Sequence, residues 1–93
     1  MKKYLSLEDF TNFLESLEIS DKPTKLFSED LEGEIYEYNF QKIQFNNNNI
    51  IIYDEPMGCI GIIQDTPVGP WQDYAESFFE YLDDIDNKLY IEM

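Results

Sequence analysis

A chain of 93 residues with 20 acidic and 6 basic side chains has a formal net charge of −14. Its hydrophobic fraction of 43% and aromatic fraction of 16% supply the core of a single domain over residues 1–93 and exclude an intrinsically disordered chain. All basic residues are lysines; with no histidine and no arginine, the commonest general base, the commonest metal ligand and the bidentate phosphate clamp are missing, so no catalytic residue, metal site or cofactor is expected.

Along the chain, Met1-Lys2-Lys3-Tyr4 is followed by Glu8 and Asp9 instead of an apolar run, so no export signal is expected. No apolar stretch approaches the ~20 residues that cross a bilayer, so no membrane contact is expected either. The first element is a helix over about residues 7–18. Ser6 suits its N-cap, and Glu8 and Asp9 suit the positive end of the helix dipole. Leu7, Phe10, Phe13, Leu14 and Leu17 recur at the 3-and-4 spacing of one apolar face. Pro23 keeps the chain from continuing as helix. Residues 24–32 stay open: Lys25-Leu26-Phe27 fits a short strand, and the acidic run after it fits a polar turn.

Ile35-Tyr36-Glu37-Tyr38-Asn39-Phe40 alternates with period two and puts Tyr36, Tyr38 and Phe40 on one face of a strand. Ile43 and Phe45 continue the alternation out of phase, which predicts a bulge or tight turn near Gln41-Lys42. The four asparagines 46–49 predict a hairpin loop, because asparagine tolerates left-handed backbone. Ile50-Ile51-Ile52-Tyr53 is apolar on both faces and predicts a central strand. A turn over 55–58 leads into Cys59-Ile60-Gly61-Ile62-Ile63, another buried strand. Cys59 reads as a core filler; as the sole cysteine it excludes an internal disulfide and fits a reducing cytoplasm. Thr66-Pro67-Val68-Gly69-Pro70 is a stiff connector with Pro70 in the first turn of a second helix from about Trp71 to Ile85. Lys88-Leu89-Tyr90-Ile91 fits a short last strand. This order predicts an α+β fold: a central antiparallel sheet of three to five strands, an N-terminal helix and a C-terminal acidic amphipathic helix.

The second helix carries the sharpest functional signal. At 100° per residue, Trp71, Tyr74, Ala75, Phe78, Leu82 and Ile85 fall on one side. Asp73, Glu76, Glu80, Asp83 and Asp84 fall on the other, in a stripe roughly 16 Å long. Like charges at these spacings destabilise a helix by a few tenths of a kcal/mol per pair, and no lysine between Lys42 and Lys88 relieves them. Duplex DNA offers about one negative charge per 1.7 Å of axis, so a carboxylate stripe of this pitch suits a groove lined with Lys and Arg. An ordinary solvated face is the alternative.

A second acidic cluster, Glu29, Asp30, Glu32 and Glu34, lies beside Tyr36 and Tyr38. It reads either as a solvated loop or as an acidic rim with tyrosines supplying rigid contact area. Asp83-Asp84-Ile85-Asp86-Asn87 lacks the glycine and closing glutamate of a calcium loop. No glycine-rich phosphate loop is present, and a lone cysteine without histidine makes no thiol nucleophile pair.

In length, charge and α+β layout, with the acidic helix from Asp73 to Asp84, the chain resembles two groups of small inhibitors. One is the acidic phage proteins that mimic DNA, including anti-CRISPR proteins and uracil-DNA glycosylase inhibitors. The other is acidic bacterial immunity proteins, such as barstar, that cover a nuclease's basic active site. The resemblance implies a non-catalytic inhibitor in the cytoplasm of a bacterial host. Its partner would be a basic nucleic-acid-binding protein such as a CRISPR effector or another nuclease, and it would not bind nucleic acid itself. An immunity protein against a nuclease toxin is the runner-up. A small assembly module, monomeric or homodimeric, remains open, its dimer made by edge pairing of apolar strands such as residues 50–53.

Overall fold

Ser6 caps the first helix in both directions: its Oγ accepts from the Asp9 amide at 3.1 Å, and its own amide donates to Asp9 Oδ2 at 3.1 Å. The reciprocal bonds satisfy two orphan donors of the first turn. This helix, α1, spans Leu7–Ser16; Leu17 is already extended, so it ends two residues earlier than its apolar spacing predicts. In the computed structural model the described residues are 1–54, 60–64 and 70–93, without the side chains of 60–64, Pro70 and Trp71. The expected turn at 55–58, the packing of Cys59 and the connector over 66–69 lie outside them.

The strands are β1 (Lys2–Tyr4), β2 (Thr24–Glu29), β3 (Ile35–Phe45), β4 (Asn48–Asp54), β5 (Ile60–Gln64) and β6 (Lys88–Glu92), with α2 (Pro70–Asp84) between the last two. They form one sheet in the order β1-β6-β2-β3-β4-β5, every neighbouring pair antiparallel. Both helices pack on the same face of it, so the α+β class is the one expected. β1 brings the sheet to six strands; three residues, two of them lysines, carry no periodicity to predict it. Residues 24–32, left open by sequence, are mostly strand: β2 pairs with β3 over its full length. Among the described residues no helix is long and apolar enough to cross a membrane.

Two expectations at the centre of the sheet are corrected. No bulge interrupts Gln41-Lys42: β3 pairs with β4 without a slip from Asn39↔Asp54 to Phe45↔Asn48. The apolar pattern changes phase because this strand is apolar on opposite faces at its two ends. Tyr38 and Phe40 lie under the helices, whereas Ile43 and Phe45 project from the other side. The loop is also tighter than four residues. Asn46 and Asn47 alone form it, at φ 51° and 65°, while Asn48 and Asn49 already belong to β4. Two left-handed residues make the turn whose twist matches flanking antiparallel strands. β4 is central, paired on both sides, and so is not free for the edge pairing envisaged for residues 50–53.

The core lies between the sheet and the helices. Phe10, Leu14, Leu26, Phe40, Ile51 and Ala75 are fully buried. Phe10 sits at its centre, 5.2 Å from the Phe78 ring, 5.6 Å from Phe40 and 5.8 Å from Phe79. Burying one such side chain stabilises by about 1.5–3 kcal/mol. The ends of the two predicted apolar faces fall outside this core: Leu7 is 37% and Ile85 40% exposed. One polar group crosses it: Ser28 Oγ lies 2.9 Å from Tyr38 Oη and accepts from Asn87 Nδ2 at 3.1 Å. This buried trio ties the turn after α2 to β2 with its hydrogen-bonding capacity met.

Candidate partner-binding surface

The helical layer positions the acidic stripe. Ala75, Phe78 and Leu82 pin one side of α2 to the core, and a 3.6-residue period then forces Asp73, Glu76, Glu80, Asp83 and Asp84 outward. All five are exposed. Among the described residues none of them meets a lysine; the one side-chain partner is Gln72, whose Nε2 donates to Glu76 Oε1 at 3.4 Å. The same layer adds Glu8, Asp9 and Glu15 from α1, also exposed. Eight carboxylates and no basic residue therefore occupy the two helices. The sequence pattern ties Glu8 and Asp9 to the helix dipole alone; the packing of α1 on α2 places them in the same helical layer as the stripe. Asp9 is held below the usual carboxylate range by its hydrogen bonds from the Ser6 amide and hydroxyl.

The loop cluster divides. Asp30 organises the β2–β3 connection: its Oδ1 accepts from the amides of Glu32 and Glu34 at 2.9 Å each, and Gly33 takes the positive φ of 84° that closes the turn. Glu34 Oε2 accepts from Tyr36 Oη at 3.2 Å, which raises the tyrosine's pKa. Glu32 is exposed. Glu29 is turned to the far face of the sheet, where it accepts from Lys2 Nζ and Tyr4 Oη, both at 3.0 Å. These donors hold its carboxyl below the usual range, and it raises the pKa of both partners. Tyr38, expected beside Tyr36 at the rim, is a core residue with 3% exposure. Strand alternation gave both tyrosines one face, but that face lies under α2, and only Tyr36, nearer the loop, reaches the acids.

Sheet register brings the two clusters to one end of the molecule. Lys88 pairs with Glu29, so the turn after α2 lies beside the loop after β2. Asp83, Asp84 and Asp86 thereby share that end with Asp30, Glu32 and Glu34. Exposed carboxylates of this kind accept hydrogen bonds from Lys or Arg side chains. Among the described residues no three His, Cys or carboxylate groups are placed to hold a metal ion. No family model, no curated protein and no solved structure matches the chain.

Proposed function

We propose that the chain is a non-catalytic inhibitor that occupies the basic nucleic-acid-binding surface of a target protein, with its helical layer in place of a nucleic-acid backbone. The single observation that supports this reading is the acidic layer itself: eight exposed carboxylates on α1 and α2 and no basic residue in either helix. Single-sign charge of this density works against folding, and its natural complement is a surface of opposite sign. A phage anti-defence protein acting on a host CRISPR effector or another nuclease is the setting that fits best. The test is capture of a target from host lysate, followed by competition with DNA or RNA. Displacement of the nucleic acid, weakening steeply with salt, is the expected result. A target that binds the chain and keeps its nucleic-acid affinity overturns the reading.

A further inference from the structure

The face of the sheet away from the helices has a different population of side chains. Alternation along β3 and β4 puts Ile35, Ile43, Phe45, Ile50 and Ile52 there. Phe45 is 60% and Ile35 49% exposed, while Ile50 is 7% exposed yet stands outside the cluster beneath the helices. Charge on this face is nearly balanced: Lys2 lies 3.0 Å from Glu29 and Lys25 3.3 Å from Glu37, and register also places Lys88 and Asp54 there. Towards the hairpin it vanishes, since no charged residue occurs from Ile43 to Tyr53.

We propose that this face joins two copies of the chain in a symmetric dimer, sheet on sheet, centred on Ile43, Phe45 and Ile52. The first argument is charge. A chain of −14 repels its own copy wherever its acids are unpaired, so two copies approach where charge is absent or compensated. A basic partner is steered to the helices instead. The second argument is area. The 37 strand residues, each about 3.4 Å by 4.8 Å, give a flat footprint on the order of 600 Å² before side-chain relief is added. That approaches the roughly 800 Å² per partner of a stable interface. The proposal is independent of the inhibitor reading, and it leaves both helical layers pointing outward.

Light scattering on the full chain after size exclusion, from low micromolar to millimolar concentration, tests it. The mass should rise from 11.1 kDa toward twice that value. Added salt should strengthen the dimer by screening its repulsion, opposite to its effect on binding a basic target. Phe45→Glu should weaken dimerisation about a hundredfold or more, because the residue occurs twice in a symmetric interface. Phe45→Ser, which adds no charge, should do so as well, with the far-ultraviolet circular dichroism unchanged in both. A chain that stays at 11.1 kDa at millimolar concentration overturns the proposal. So does a dimer that survives both variants, or one that salt takes apart.

Discussion

On the face of the sheet away from the helices, Lys2 and Lys25 stand within 3.0 and 3.3 Å of the Glu29 and Glu37 carboxylates. On the opposite side, α1 and α2 set eight carboxylates toward solvent with no cation among them. The difference lies in how each kind of element chooses neighbours. A strand's charged side chains meet those of other strands, so register can place a lysine from one part of the chain against a glutamate from another. A helix meets its own residues three and four positions on, and along α2 those include further acids. The fold thus neutralises charge where distant segments come together and leaves it where one segment supplies its own neighbours.

The largest expected effect separates the two faces by binding. Neutralising Asp73, Glu76, Glu80, Asp83 and Asp84 together, Asp→Asn and Glu→Gln, should hold or raise the melting temperature, because it relieves like-charge repulsion. The same variant should lose affinity for a basic target by about 1–3 kcal/mol per desolvated carboxylate, and its association should depend less on salt. Unchanged affinity, measured by calorimetry at two salt concentrations, removes α2 from the surface. Next in size is the joint between the layers. Phe10→Ala should cost about 3–5 kcal/mol in urea unfolding, since the fully buried ring touches both the helices and the sheet.

Smaller effects sharpen the contrast. Tyr38→Phe should cost about 1 kcal/mol, because Ser28 keeps its bond from Asn87; it should leave target binding unchanged, as Tyr38 is buried. The pH dependence of Glu29 has a fixed sign. Its pKa is lowered by Lys2 and Tyr4, so its contribution is fully present above the ordinary carboxylate pKa and is lost as pH falls through the lowered value. The gap in melting temperature between wild type and Glu29→Gln should therefore be present at pH 7 and close on the acid side, below about pH 4. A gap that widens there contradicts the ion pair. Glu37→Gln should change stability least, by about 0–1 kcal/mol, because the Lys25–Glu37 pair is roughly half exposed.

Much of the fold is legible in local pattern. The Ser6 cap, the 3-and-4 spacing of Phe10, Phe13 and Leu14, and Pro70 at the head of α2 each act within a turn or two of helix, where the chain reads itself. The outward stripe on α2 is legible for the same reason: once Ala75, Phe78 and Leu82 face the core, the acids have no other direction. β1 left no signal, because three residues are too few to show a period and their pairing with β6 joins the two termini of the chain. The phase change in β3 was visible, but its cause was not. A bulge and a strand with two apolar faces give the same sequence pattern, and only the continuous register with β4 tells them apart.

By itself, then, the sequence determined the class of fold, the excess of acid and the face of α2 that displays it, since composition and helical period are properties of consecutive residues. The tertiary structure alone decided which acids stay unpaired. Glu29 and Glu34 lie five residues apart in one acidic run, yet the sheet sends Glu29 to Lys2 on its far face and leaves Glu34 with Tyr36 at the acidic end. It also withdrew Tyr38 into the core and added Glu8, Asp9 and Glu15 to the helical layer. These outcomes depend on contacts between segments far apart in the chain, and such contacts exist only once the layers have packed.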